Sequence, residues 1–508
     1  MNLFAQHATK RSSLSLHFLG LVLWCFSPLV GSTPALTTPP MATQLLQINN
    51  SGAAPVSLVC PRKGPPTARP STPVAEPTEI PDDDDVTQAL QEASAERAAQ
   101  TASTTPPGQR LQGDPRGWRI AIWGDSHMAA AFFSDQMVRQ LVPTDAPVTS
   151  RFVHAGVGHG GVRALVRKTC LSGDWGREMA YAHADAAAAP GPGMTSLVAK
   201  RPGATLALDL RDTQGLARHT RLQILHHGHG AGLTRLAISV DGEAETLVQL
   251  DPSAGPRALA LETLAPLSTL QIRVVEGAFR FQGLKLPEPP APAASALHLD
   301  LFAYPGATMA GWVRSDLGYL SSWFTDQAYD LALIAFGTNE GNDPRFNEDA
   351  YREMLARALG NFRQVFPQTQ CVLIGPGDRG IRVVKSRASK RSKAANAKNQ
   401  SSKKQKQQSA KNKPAKKAPP QKTKAAPNAD LLKFARIHER IGQIQADLAA
   451  QHGCQAWSMQ SAMGGAGSAY TWARKSPALM APDLIHFTTA GYRELANTFM
   501  VDFGLAKP

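Results

Sequence analysis

Hydrophobic residues recur along the chain in two rhythms. In "RIAIWGDSHMAAAFFSDQM" (119–137), Ile120, Ile122 and Trp123 lie in a short apolar run that predicts a buried strand. Met128, Phe132, Phe133 and Met137 follow at helical spacing, so one amphipathic helix is expected after the strand. Gly124 permits a tight turn at the corner, and Asp125 or Ser126 can cap the helix. The same texture returns beyond residue 289. "LHLDLFAYP", "DLALIAFG", "CVLIGPGD" and "CQAWSM" predict strands, and "LGYLSSWFTDQA", "NEDAYREMLARALGNFRQVF", "ADLLKFARIHERIGQIQADLAAQHG" and the stretch after Thr488 predict helices. Repeated strand–helix units predict an α/β fold with a doubly wound parallel sheet, contributed by residues 116–190, 289–382 and 428–508.

Between the first two of these parts the period changes to two. "ATLALDL", "TRLQIL", "TRLAISV", "ETLVQL", "RALALE", "TLQIRVV" and "FRFQGLKL" alternate, with Asp241-Gly242 as a hairpin turn. An inserted all-β sandwich, jelly-roll-like, is expected over 191–288, closed by the proline-rich "PEPPAPAA".

Composition alters this picture at three places. Residues 36–115 are rich in Pro, Thr, Ala and Ser, with an acidic "DDDD" patch and few apolar groups, and predict a disordered tether, with a local helix conceivable at "VTQALQEASAERAAQ". At the N-terminus, Lys10 and Arg11 precede the apolar run "LSLHFLGLVLWCFSPLVG" and the small residues of "GSTPA". That order predicts a secretory signal peptide or a retained anchor over 1–35, and with it a periplasmic or secreted location. The formal net charge of +14 is local: residues 385–424 hold 15 Lys plus Arg and no Asp or Glu, and taking 15 from +14 leaves −1 for the remainder. Low complexity and like charge predict a disordered lysine-rich insertion over 383–427. It has no aromatic residue for base stacking and lies behind an export signal, so nucleic acid is not expected; a solvated insertion is the plain reading and attraction to anionic envelope polymers the functional alternative. Four cysteines follow the leader, Cys60, Cys170, Cys371 and Cys454; three pairings are open, with Cys371 and Cys454 placed to be neighbours in one sheet.

Acyl transfer by a serine needs a base, a group that orients the base, and donors for the developing oxyanion. Ser126 stands at a strand C-terminus, where α/β proteins build their sites. In "APDLIHFTTAGYRELA", Asp483 and His486 are three apart, so one turn can set the carboxylate on one imidazole nitrogen and free the other for Ser126. "LIAFGTNEGND" carries Asn339 past a buried strand, where its amide can donate without titrating, and "FAYPGATMAGW" carries Gly306, whose backbone N–H is unencumbered. A capped helix, a surface histidine and turn residues are the blander readings of the same four motifs. His226, His227 and His229 of "HHGHG" lack a flanking carboxylate or thiolate at ligand spacing, so no metal and no cofactor is expected. His127 receives no chemical role, and the absence of Gly-x-Ser-x-Gly argues against an α/β-hydrolase lipase.

Taken in order, Gly-Asp-Ser-His at 124–127, Gly306, Gly-Thr-Asn at 337–339 and Asp483-x-x-His486 resemble the blocks of the SGNH (GDSL-type) hydrolase superfamily over residues 117–165, 290–380 and 428–505. The resemblance implies Ser126 as nucleophile, His486 as base and Asp483 as its orienter. It also implies an oxyanion hole from the N–H groups of Ser126 and Gly306 and the amide of Asn339. "GDSHMAAAFFSDQM", "YPGAT", "FGTNE" and the position of the sandwich are similar to bacterial peptidoglycan O-acetylesterases, whose inserted domain is carbohydrate-binding-module-like. An exported esterase acting on an acetylated envelope glycan is therefore expected. The rivals are a periplasmic O-acetyltransferase with the same residues and a non-catalytic wall-binding protein. Gly156 and Gly158 of "HAGVGHGG" compete with Gly306 for the second block, and the lysine-rich insertion departs from the family pattern.

Overall fold

The structure is a computed structural model and describes residues 41–52, 57–60, 78–81, 83–99, 111–143, 148–164, 166–183, 188–212, 214–228, 232–287, 297–384 and 430–506. The leader over 1–35 and the lysine-rich run 385–429 lie outside the described residues. Among the described residues no helix is long and apolar enough to cross a membrane.

One sheet is parallel throughout, in the order Gln455–Ser458, Gln370–Gly375, Leu331–Ala335, Arg119–Gly124, Leu297–Leu301 and Val148–Thr149. Its strands read as apolar runs because both faces are covered. Ile120 and Ile122 enter one core with Phe133, Met137, Leu495 and Phe499; Ala121 and Trp123 enter the other with Leu355, Phe362, Ile441 and Leu448. The helices Phe132–Leu141 and Thr489–Asp502 supply the first face, and Glu348–Val365 and Lys433–Gln451 the second, a doubly wound arrangement. Asn347 caps the helix Glu348–Val365 by accepting from the Ala350 N–H, and Glu348 and Asp349 sit favourably in its first turn.

The single helix expected after Gly124 is in fact two, Ser126–Ala129 and Phe132–Leu141. Ala131 breaks it with a φ of 64°, a left-handed conformation that turns the second helix onto the sheet.

A second body consists of two sheets. One has the order Ala42–Ile48, Gly255–Leu267, His219–Gly228, Arg280–Lys285, Thr195–Ala199 and Trp175–Met179, with Phe152–His154 also paired to Arg280–Lys285. The other runs Thr246–Gln249, Arg235–Val240, Thr269–Glu276, Thr205–Asp209 and Lys168–Leu171. Leu222, Ile224, Leu259 and Leu261 of the first share a core with Leu236, Ile238, Leu270 and Ile272 of the second. Besides Ala42–Ile48, strands of this body lie at 152–179, before the expected boundary at 191; these short strands carry too few residues to show a period of two.

After the parallel strand Arg119–Gly124 the chain passes into this body at Arg151 and leaves it at Lys285. Both side chains are buried and both pair with Asp326 of the parallel-sheet half. Buried Asp300 accepts from the backbone N–H groups of Arg151 and Phe152 at 2.8 and 2.9 Å, fixing the entry strand to the same half.

The tether expected over 36–115 is ordered in places. Ala42–Ile48 adds to Gly255–Leu267 in parallel, and helix Asp83–Ala99 packs Val86, Ala89 and Ala93 against Leu431, Tyr470 and Leu484. The helix falls on the stretch "VTQALQEASAERAAQ", where a local helix is conceivable from sequence, but both elements borrow a core that distant segments supply, which the local composition cannot register. Thr78–Glu79 likewise pairs with Val383–Val384, so the first residues of the expected lysine-rich insertion form a strand. Two disulfides settle the cysteines: Cys60–Cys170, and Cys371–Cys454 at neighbouring strands of the parallel sheet.

Candidate active site

The serine corner is set by close packing. A Cβ at Gly124 would lie 2.9 Å from Met128 Cγ and 3.0 Å from the Ala335 carbonyl oxygen, so only glycine lets the turn approach the neighbouring strand. Asp125 then donates its N–H to Ala335 O at 3.1 Å and accepts from the His127 N–H at 2.9 Å. Asp125 is thus the helix cap, which leaves the Ser126 hydroxyl free for another partner. Burial pushes the Asp125 carboxyl up to about 6, against the His127 hydrogen bond that holds it down.

That other partner is His486, whose Nε2 lies 2.9 Å from Ser126 Oγ. Its Nδ1 lies 2.8 Å from Asp483 Oδ2. The other carboxylate oxygen of Asp483 accepts from the backbone N–H groups of Ile485 and His486 at 3.0 and 2.9 Å. This turn is not helical. Leu484 adopts a φ of 58° and is fully buried, anchoring the turn in the cluster with Val86, Leu431 and Tyr470. Partial burial raises the Asp483 carboxyl, but the hydrogen bonds from the His486 ring and backbone outweigh it and hold the group far below the usual carboxylate range. The Asp483 hydrogen bond in turn raises His486 above 6.5, partly offset by burial.

Gly306 and Asn339 flank this line. The segment after Leu297–Leu301 stays paired with the serine strand, Tyr304 N donating to Gly124 O at 3.0 Å, and Gly306 follows with a φ of 82°. Open space surrounds its Cβ position, so the backbone conformation rather than crowding selects glycine. On the opposite side Ala335 is in register with Gly124, and Asn339 lies four residues on. One N–H of its amide donates to Ala307 O at 2.8 Å, which ties the two flanking loops together. Of the rival glycines, Gly156 donates its N–H to His154 Nδ1 at 3.2 Å, and a Cβ at Gly158 would lie 3.3 Å from Leu171 Cβ of the two-sheet body.

Sequence reasoning missed Glu340. Its Oε1 accepts from Met309 N at 2.8 Å and its Oε2 from Gly337 N at 3.1 Å, so one carboxyl clasps the Gly306 and Asn339 loops; burial pushes it up to about 7. Its place after Gly-Thr-Asn in "FGTNE" was the available signal. His127 also has a place. Its ring lies 5.4 Å from that of His486, its Nδ1 is 3.2 Å from Tyr492 Oη, and burial lowers it to about 3, so it stands beside His486 as a neutral wedge.

His226 and His227 lie on the strand His219–Gly228, with His227 Nδ1 3.0 Å from Tyr319 Oη; His229 lies outside the described residues. Among the described residues no three His, Cys, Asp or Glu side chains are grouped to hold a metal ion.

No family model and no curated protein matches the sequence. Solved structures do. The chain shares the fold of one of them. It is similar to a peptidoglycan O-acetylesterase at 18% identity and a TM-score of 0.51, over 83% of this chain and 95% of that one. More distantly it is similar to a family two carbohydrate esterase from Cellvibrio japonicus (12% identity, TM-score 0.23, 66% and 98% covered). A salicylyl-acyltransferase from a tetracycline biosynthetic pathway matches at 12% identity and a TM-score of 0.26, with 72% and 96% covered.

Proposed function

We propose that the protein is an exported serine esterase that removes O-acetyl groups from an envelope glycan, peptidoglycan first among them, through an acyl-enzyme on Ser126. The observation that carries this reading is the continuous line from Ser126 Oγ through His486 to Asp483, at 2.9 and 2.8 Å, on the C-terminal edge of the parallel sheet. Ser126 Oγ attacks the acetyl carbonyl while its proton passes to His486 Nε2, and Asp483 steadies the imidazolium at Nδ1. Collapse of the tetrahedral intermediate breaks the bond to the sugar oxygen, which takes the proton from His486. Water, deprotonated by His486, then attacks the acetyl-serine, releases acetate and restores the hydroxyl. The N–H groups of Ser126 and Gly306 and the Asn339 amide stabilise the oxyanion in both halves.

The two-sheet body, read as an inserted carbohydrate-binding-module-like sandwich, holds the polymer. Its support is contact with the loop that carries Gly306: the His159 ring lies 5.0 Å from that of Tyr304, and Tyr181 Oη donates to Pro305 O at 3.5 Å. Binding energy collected there would be spent on orienting the ester. The lysine-rich run would add retention on anionic polymers through its positive charge.

The test is acetate released from O-acetylated peptidoglycan, with Ser126→Ala as control. Acetate appearing as ester disappears supports hydrolysis. Movement of acetyl groups to added chitooligosaccharide in preference to water would make the protein a transferase. Cleavage of aryl acetates alone would keep the esterase and discard the wall substrate.

A further inference from the structure

The loop after Gln370–Gly375 packs directly on the Asp483–His486 turn. Gly380 N donates to Leu484 O at 3.0 Å, and a Cβ at Gly377 would meet Phe487 Cζ at 2.5 Å. Between these two glycines stands Arg379, half-exposed, with its guanidinium carbon 3.8 Å above the centre of the half-exposed Phe434 ring. Its Nη1 donates to Asn342 Oδ1, three residues beyond Asn339, while its buried Nε meets no acceptor. Arginines of the helices Glu348–Val365 and Lys433–Gln451 are paired with carboxylates: Arg436 with Asp430, Arg440 with Glu348, and Arg352 with Asp447. No carboxylate lies within 4.0 Å of Arg379 among the described residues. The nearest functional one, Asp483, feels its charge but is already held by His486.

A guanidinium fixed on an aromatic face, on the loop packed against the Asp483–His486 turn and without an acid, is a recognition element for an anion rather than a strut. We infer that Arg379 is a specificity residue of the proposed esterase, binding a carboxylate on the substrate next to the acetyl ester, so that the substrate class is an acidic glycan rather than a neutral one. A peptidoglycan sugar bearing a carboxylate-terminated ether fits this chemistry. The inference rests on the esterase reading given above, though not on the glycan being its substrate.

Paired aryl esters test it without any glycan. Wild-type protein should cleave 3-acetoxybenzoate with a higher kcat/KM than the neutral 3-acetoxybenzamide, the preference residing in KM and shrinking as salt rises. Arg379→Gln should lower the ratio of the two kcat/KM values on the order of tenfold, the worth of one charge-assisted hydrogen bond. Arg379→Lys should retain part of it as a point charge. An unchanged ratio in a folded Arg379→Gln protein, or no anion preference in wild type, overturns the assignment. An equal fall on both esters, with the acid limb of the pH profile displaced, would instead make Arg379 a support for Asp483. Should peptidoglycan release no acetate while the aryl-ester ratio behaves as stated, the wall substrate fails and Arg379 stands.

Discussion

On one side of Ser126 the loop bearing Gly306 leans on the two-sheet body, through the His159 and Tyr304 rings, the Tyr181 hydroxyl and the Arg177 guanidinium 5.9 Å above Tyr304. On the other side the loop bearing Asn339 is held from within the parallel-sheet half. There Gln445 donates to Phe336 O at 2.9 Å, and Arg379 donates to Asn342. The first flank meets its support mostly through ring contacts and one long hydrogen bond, the second through short polar ones. Glu340 joins them. Under the proposed function the difference separates two tasks: the Asn339 side would stay rigid whatever the polymer does, while the Gly306 side is where occupancy of the two-sheet body would reach the chemistry.

The comparison is sharpened first by removing the line that both flanks serve. Ser126→Ala or His486→Ala should reduce aryl acetate turnover by several orders of magnitude, as loss of a triad member does elsewhere. Near-wild-type turnover by folded Ser126→Ala would end the assignment. Asn339→Ala should cost about 100- to 1000-fold in kcat if its amide is a donor to the oxyanion. Glu340→Ala should cost up to about a hundredfold, the effect of displacing a donor by about 1 Å. It should also lower the Tm, since two backbone N–H groups lose a shared acceptor, at about 1–3 kcal/mol each. Arg177→Ala should fall below both on aryl acetate yet weaken glycan turnover more than aryl acetate turnover. Equal losses on the two substrates would erase the distinction between the flanks.

Protonation offers a gentler probe. His486 must be neutral to accept the Ser126 proton, and Asp483 raises its pKa, so kcat/KM should rise with pH along a limb centred above 6.5. Asp483→Asn removes that stabilisation of the imidazolium, so the limb should move to lower pH while the rate falls. A limb that stays in place would detach Asp483 from His486. The smallest effect is expected from deleting residues 385–424: unchanged aryl acetate turnover, and weaker retention on anionic wall material at low salt only.

The parallel sheet was legible because burial on both faces writes continuous apolar runs such as Ile120–Trp123. The serine line was legible because each member carries its own local signature: a glycine corner for Ser126 and a three-residue spacing for Asp483 and His486. Residues whose meaning comes from distant partners were not. Glu340 matters through Met309, thirty-one residues away in sequence, and Arg379 through Phe434 and the Leu484 turn. Ala42–Ile48 failed for a related reason: it forms a strand by pairing with Gly255–Leu267, and Leu45 stays exposed while only Ile48 is buried. Hydrogen bonds to a ready-made edge need no hydrophobic pattern of their own.

Helix Asp83–Ala99 bears on how the protein should be cut for experiments. Composition suggests starting a recombinant chain near Gly117, after the proline-rich stretch. Such a chain would bare Leu484 and Tyr470, now wholly enclosed with Val86, Ala89 and Ala93, directly behind the turn that aims His486. It would also leave Cys170 as a lone thiol, since Cys60 would be gone. The helix is a backstop for the histidine, so a truncated chain should melt earlier and turn over aryl acetate more slowly even though Ser126, Asp483 and His486 are all retained.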